Sequence, residues 1–243
     1  MIFAAGLGTR LRPLTNDRPK ALVEVNGRTL LEHCILRLKA AGFEHIVVNI
    51  HHFGEQIIAF LQAHDNFGLD IRVSDERQQL LDTGGGIRHA LPLFAEPGPV
   101  LIHNVDIVSD IDLAALYARH LQAAAAPATA RPLGATLAIQ RRPTSRYLMF
   151  DAQQTLCGWT DERTGEVRGA MGEKFAFAGI HVVGPGLFPY LEARQDAAFP
   201  IIGFYLDVCR DVALQGMDVS QCRWVDCGKP EALERAARVA QEC

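Results

Sequence analysis

Most residue arrangements that carry the commoner enzymatic chemistries are missing from this chain. Its six cysteines (Cys34, Cys157, Cys209, Cys222, Cys227 and Cys243) include no Cys-x-x-Cys pair and have no histidine at ligand spacing. A zinc site or a dithiol redox centre is therefore unsupported, and the cysteines read as thiols of a reducing compartment. The nine histidines form no His-Glu-x-x-His cluster. No Gly-Lys-Ser or Gly-Lys-Thr tripeptide occurs, which removes the phosphate loop of the common nucleoside triphosphatases. No apolar run reaches the length of a membrane span and no signal peptide precedes the first strand, so the expected location is cytoplasmic, without a membrane partner. The formal net charge of -4 and the absence of a basic tail leave no general affinity for nucleic acid.

What the chain does have is concentrated at its beginning. Met1 to Ala5 is a short apolar strand, and Gly6 and Gly8 open a polar loop in which Arg10, Arg12, Arg18 and Lys20 face only Asp17. A local positive field on an acidic protein suits a small anion such as phosphate. Glycine lets backbone N–H groups approach phosphate oxygens closely, Arg10 offers a forked donor, and Lys20 is a compact point charge. A solvated basic turn is the plainer alternative. A dinucleotide fingerprint is excluded, because position 11 is Leu where that motif wants Gly, and Pro13 and Pro19 keep a helix from opening there.

Further along, apolar residues recur on one helical face from Arg28 to Ala41, and Gly42 suits the C-terminal cap. Strands are expected at 46–50, 71–74 and 100–104, with helices at 56–61, 87–91 and 112–121 between and after them. This βαβ spacing predicts a parallel sheet covered on both faces, with the site beyond the carboxyl ends of the strands. An Ala/Pro-rich connector follows at 123–132. The pattern then turns to β at 135–140, 147–150 and 175–183, with helices at 187–191 and 202–214, a strand at 219–225, and a closing helix at 230–240. The expectation is one domain over 1–243, with a first half at 1–122 and a second half at 133–243 that continues the sheet. No repeat is present and no hexapeptide array follows position 228.

The opening stretch resembles the signature of the sugar-1-phosphate nucleotidyltransferases: Ala4 to Arg10 matches Ala-Ala-Gly-x-Gly-x-Arg, Pro13 to Thr15 matches Pro-Leu-Thr, and Pro19-Lys20 completes it. The resemblance implies an α/β fold, a Rossmann-like three-layer α/β/α sandwich around a mixed, mainly parallel central sheet, with 1–122 as the nucleotide-binding half and 133–243 as the sugar-binding half. It implies that Ala5, Gly6, Gly8, Thr9 and Arg10 bind nucleotide, with Arg10 and Lys20 also catalytic. Met1 lies on the strand itself, where the family usually has a few residues more, so either the strand is short or the start lies upstream.

Two aspartates complete the expected site. Val100-Leu-Ile-His-Asn-Val-Asp106 is an apolar strand ending in a carboxylate. It is similar to a family segment whose Asp binds Mg²⁺, except that Val105 stands where Gly is usual. Trp224-Val-Asp-Cys-Gly-Lys-Pro-Glu231 resembles the family's late element, in which Asp226 is the second ligand. Two aspartates, phosphate oxygens and waters make a plausible octahedral Mg²⁺ site. Taken alone, Asp106 reads equally as a helix cap or solvated strand end, and 226–230 as a turn.

Leu81-Asp-Thr-Gly-Gly-Gly-Ile87 places glycines at a helix start, and the resemblance implies recognition of the base by Thr83, Gly84 and Gly85 through free N–H groups. Glu76 is either an acceptor for a base N–H or an exposed flanking charge. Phe175-Ala-Phe-Ala-Gly179-Ile180 resembles the family's Phe-x-Gly-Ile strand, which places Gly179 and Asn104 beside the sugar; a plain core strand is the alternative. The Glu-Lys-Pro of many relatives has no counterpart in 157–168.

The reaction so implied joins an NTP (UTP or GTP) to a sugar 1-phosphate, giving an NDP-sugar and pyrophosphate, in a monomer or small homo-oligomer. The base-loop form is most similar to the uridylyltransferases of N-acetylmuramate 1-phosphate. Mannose- and heptose-phosphate guanylyltransferases and phosphocholine cytidylyltransferases share the opening signature. A non-catalytic nucleotide-sugar-binding regulator would be expected to lack Arg10, Lys20 or a metal Asp, and all are present.

Overall fold

The computed structural model describes residues 1–95, 98–126 and 131–241. The chain runs through β1 (Ile2–Phe3), β2 (Glu24–Val25), β3 (Arg28–Thr29), α1 (Leu30–Ala40), β4 (His45–Ile50), α2 (Gly54–Ala63), β5 (Asp70–Asp75), α3 (Asp82–Ala90), β6 (Val100–Asn104), β7 (Ile107–Ser109) and α4 (Leu113–Ala125). It continues through β8 (Leu133–Gln140), β9 (Arg146–Phe150), β10 (Leu156–Asp161), β11 (Glu166–Gly169), β12 (Glu173–Val183), α5 (Phe188–Ala193), α6 (Ile201–Val208), β13 (Ala213–Asp218), β14 (Trp224–Asp226) and α7 (Leu233–Ala240).

Ten strands form one mixed sheet, ordered β11-β10-β9-β12-β6-β1-β4-β5, with β8 paired to β12 and β13. β1 lies parallel between β4 and β6, and β4 is parallel to β5. Burial explains why these residues make strands. In β4, Ile46, Val48 and Ile50 enter one hydrophobic cluster while Val47 enters the other, and in β6 Leu101 and Ile102 divide the same way. Such period-two alternation between two apolar faces requires cover on both. One cover is α1, α2, α4 and α7; the other is α3, α5 and α6. The architecture is the three-layer α/β/α sandwich expected from the sequence.

Local signals act as read. Thr29 caps α1 by accepting from the Glu32 N–H at 3.1 Å, and Gly42 ends it in the left-handed region at φ 86°. Two expectations need correction. The apolar run at 202–214 is not one helix: α6 stops at Val208, and β13 begins at Ala213 because that segment pairs in parallel with β8. The strand expected at 219–225 shrinks to Trp224–Asp226, which pairs with β7, and β13 ends before it at Asp218. The hairpin β10–β11 was not anticipated, although Gly165 turns it at φ 74°. α4 extends into the expected connector, and residues 127–130 lie outside the described residues. Among the described residues no helix is long and apolar enough to cross a membrane.

Candidate active site

The loop after β1 is built before any ligand enters. Gly8 sits at φ 63°, and a Cβ there would lie 3.0 Å from Thr15 Cγ2 and 3.1 Å from Lys20 Cβ, so both its backbone and its surroundings demand glycine. Its carbonyl accepts from the Leu11 N–H at 2.9 Å and the Thr15 hydroxyl at 2.8 Å. This folds the loop back so that Lys20, entering a tight turn after Pro19, lies over the carboxyl end of β6. Gly6, Thr9 and Arg10 remain exposed.

There Lys20 Nζ pairs with Asp106 Oδ2, and both side chains are largely buried. Asp226 is brought to the same place by a three-residue ribbon: β14 pairs antiparallel with β7, Asp226 opposite Ile107, and the Cys227 N–H donates to the Asp106 carbonyl at 2.8 Å. Asp226 Oδ1 accepts from the Gly228 N–H at 2.7 Å. Burial, then the facing Asp106, hold the Asp226 carboxyl above the usual range, against the pull of the Gly228 N–H and Lys20. Arg10 completes the group, since its Nη2 lies 2.7 Å from where a Cβ on Gly228 would stand. Val105, in place of glycine, is 4% exposed and outside the left-handed region, so the position does not require glycine.

Two mutually repelling hard-oxygen donors suit a divalent cation such as Mg²⁺. Among the described residues no group of three or more His, Cys, Asp or Glu could hold a metal by itself. A metal here would therefore take its remaining ligands from substrate oxygens and water. The Cys227 thiol, between these groups, is pushed up to about 12 by burial and by Asp106 and Asp226, which rules it out as a thiolate nucleophile near neutral pH.

The base loop differs from expectation. Gly84 and Gly85 are buried, and their N–H groups donate to the Phe199 carbonyl at 2.8 and 3.3 Å, so they are not free for a ligand. A Cβ on Gly84 would stand 2.3 Å from the Phe199 ring, and one on Gly85 would stand 2.5 Å from the Ala197 carbonyl oxygen. The Thr83 hydroxyl accepts from the Ile201 N–H at 2.9 Å. These three residues latch α3 to the segment before α6. Glu76 is neither an exposed charge nor an open acceptor: it is 2% exposed, and its two oxygens accept from Asn49 Nδ2 at 2.8 Å and the Leu81 N–H at 3.2 Å. Burial raises its carboxyl above the ordinary range despite these bonds.

Asn49 escaped the sequence reading. Its Oδ1 accepts from the Ala4 and Ala5 N–H groups at 2.7 and 3.2 Å, so the Ala5 N–H is also committed. The signal was a single polar residue in the apolar run of β4. On the other side, Gly179 (φ 77°) lies at a bulge of β12, where a Cβ would be 3.0 Å from Asn104 Nδ2, which confirms that the two are neighbours. A separate cavity of about 840 Å³ lies at the amino ends of β1, β4 and β6, lined by Met1, Phe43, Val47, Phe94 and Tyr117. Two of its charged residues, Asp70 and Arg72, pair with each other at 2.9 Å, and it holds no comparable grouping of cations and carboxylates.

Residues 1–167 match the MobA-like NTP transferase domain. The chain belongs to that family. Among curated relatives, the N-acetylmuramate alpha-1-phosphate uridylyltransferase of Caulobacter vibrioides is 56% identical over 110 residues, covering 44% of this NTP transferase chain and 45% of that protein. A mannose-1-phosphate guanyltransferase of Candida albicans is 26% identical over 237 residues, covering 95% of this chain and 61% of that protein. The matches thus span less than two thirds of each relative. Among solved structures, an apo UDP-glucose pyrophosphorylase superposes with a TM-score of 0.79 at 14% identity, covering 99% of this chain and 97% of that one, which shows a shared fold.

Proposed function

We propose that this NTP transferase joins a nucleoside triphosphate to a sugar 1-phosphate, releasing pyrophosphate, with UTP and N-acetylmuramate 1-phosphate as its substrates. The observation that carries the reading is the meeting of Lys20, Asp106 and Asp226 beside Arg10. The 56% identity to the Caulobacter uridylyltransferase supports the choice of base and sugar.

A sugar phosphate oxygen attacks the α-phosphorus, the bond to the β-phosphate oxygen breaks, and pyrophosphate leaves with the electron pair. A phosphate monoester has a second pKa of about 6, so the nucleophile is already mostly ionised and needs no general base. That is consistent with a site whose one thiol, Cys227, is pushed well above its ordinary range by burial and the two aspartates. Arg10 holds the departing phosphates and Lys20 offsets charge where nucleophile and α-phosphate approach. Asp106 and Asp226 are the residues that would hold Mg²⁺, which supplies charge neutralisation to phosphate oxygens when bound.

The guanylyltransferase reading has one specific support, the Candida relative that aligns along 95% of the chain. Pyrophosphate release from each of the four NTPs against a panel of sugar 1-phosphates separates the two. The proposal expects UTP with N-acetylmuramate 1-phosphate to be fastest. Preference for GTP with mannose 1-phosphate contradicts the substrate choice, and no release from any pair contradicts the reaction.

A further inference from the structure

We propose that Arg142 binds the sugar substrate by receiving an oxyanion that the sugar carries. This rests on the transferase reading above and deepens it by naming the group that is held.

Arg142 lies in the connection between β8 and β9. Its guanidinium stacks on Trp224, with Cζ 4.1 Å from the ring centroid, and its Nη2 donates to the Phe177 carbonyl at 3.0 Å. Trp224 Nε1 donates to the next carbonyl, Ala178, at 2.8 Å. These carbonyls belong to the stretch where β12 leaves its ladder, since the register passes from Phe177 opposite Ile139 to His181 opposite Leu137. Arg142 and Trp224 thus clasp the bulge that sets Gly179 beside Asn104.

That clasp uses little of the guanidinium. Among the described residues its buried Nε has no hydrogen-bond partner and Arg142 has no ion pair. The surrounding arginines differ: Arg141 pairs with Glu173 at 2.6 Å and Arg146 with Asp161 at 3.3 Å. Burial disfavours the charged form of Arg142, and the carboxylate whose field offsets this is Asp226. A half-buried cation with no carboxylate in contact is costly unless an anion completes it. Its contacts with Phe177 and Trp224 hold Arg142 on the strand and ribbon that carry Gly179 and Asp226, whereas Arg10 and Lys20 come from the Gly6 loop. Its planar fork suits phosphate or carboxylate. Two sources offer that chemistry: the C1 phosphate of any sugar phosphate, or the lactyl carboxylate of N-acetylmuramate.

Arg142→Gln and Arg142→Lys would be compared with the unaltered enzyme, varying the sugar at saturating UTP and varying UTP at saturating sugar. The sugars are N-acetylmuramate 1-phosphate and N-acetylglucosamine 1-phosphate, which lacks the lactyl group; thermal melting checks folding. Arg142→Gln is expected to raise the sugar KM about 10- to 100-fold, as for removal of a hydrogen bond to a charged group, with the UTP KM within about twofold. Arg142→Lys keeps the charge but not the fork and restores part of the loss. A rise with both sugars identifies the C1 phosphate, and a rise with the muramate alone identifies the carboxylate. An unchanged sugar KM in folded Arg142→Gln, or equal rises for UTP and sugar, overturns the proposal. If Arg142→Gln does not fold, an unchanged sugar KM in Arg142→Lys overturns it. If the unaltered enzyme turns over neither sugar, the transferase reading fails instead. Calorimetric titration of both sugars into the unaltered and Arg142→Gln proteins then decides Arg142: weaker binding in the variant supports it, and no difference overturns it.

Discussion

Asn49 is 1% exposed and joins three partners through one amide, the Ala4 and Ala5 N–H groups on its oxygen side and Glu76 on its nitrogen side, and Glu76 in turn accepts from the Leu81 N–H. It therefore ties the exit of β1 to the approach to α3. Asn49→Ala leaves two buried N–H groups without an acceptor, and unfolding in urea should show a loss of about 3 kcal/mol. Because the detached segment leads into the Gly6 loop, the KM for the nucleotide should rise more than that for the sugar phosphate. Stability within about 0.5 kcal/mol of the unaltered protein would mean that Asn49 does not hold the loop. The same logic separates Asp106 and Asp226 from Glu76: all three are carboxylates in the expected set, but Glu76 is spent on neighbours, whereas Asp226 is held against a like charge.

At the scale of elements, α3 and α6 show what a glycine costs or saves in two surroundings. Gly84→Ala places a Cβ 2.3 Å from the Phe199 ring and 2.9 Å from its carbonyl oxygen, so the usual helical gain of alanine is outweighed, and a net loss of about 1–3 kcal/mol is expected. Gly203→Ala in α6 meets only Pro200 Cγ at 3.5 Å and should gain about 0.5–1 kcal/mol. Denaturation of both variants checks the pair, and a stabilised Gly84→Ala would remove the latch between α3 and the segment before α6.

Elements also explain how far the sequence could be read. The Gly6 loop was legible because its signal is local: glycine, proline and cations within one stretch. The layers were legible because β4 and β6 alternate between two apolar faces. The β7–β14 ribbon was not, since three-residue strands distant in sequence leave no periodic trace. β13 was hidden because a buried strand and a buried helix share an apolar run and only pairing with β8 decides between them. Gly84 and Gly85 were visible as glycines, but the chain that packs on them lies more than a hundred residues away. The partnership of Asp106 with Asp226 came from family resemblance, and the ribbon supplies its physical cause.

For the molecule as a whole, β12 decides the arrangement. It runs antiparallel to β6 on one edge and to β8 and β9 on the other, so the sheet changes direction beside the parallel strands, and Asn104 and Gly179 meet at that seam. Acid is expected to loosen the assembled sheet. Burial holds His103 and His120 down to about 4 and His181 to about 3, from an ordinary 6.5. Between those values the unfolded chain binds more protons than the folded one, so stability falls as pH drops below about 6.5. His181, whose two ring nitrogens have no hydrogen-bond partner among the described residues, supplies part of this. His181→Leu should lose about 2 kcal/mol less than the unaltered protein between pH 7 and pH 5, measured by urea unfolding at both pH values. Equal losses would exclude His181 from the acid response.

The convergence of the Gly6 loop with two aspartates distant in sequence is tested most directly by single-turnover pyrophosphate release from Asp106→Asn, with nucleotide affinity measured alongside by titration. The account predicts that turnover falls by about a thousandfold or more while UTP binding weakens by less than about tenfold. Unimpaired turnover in a folded Asp106→Asn protein would contradict it.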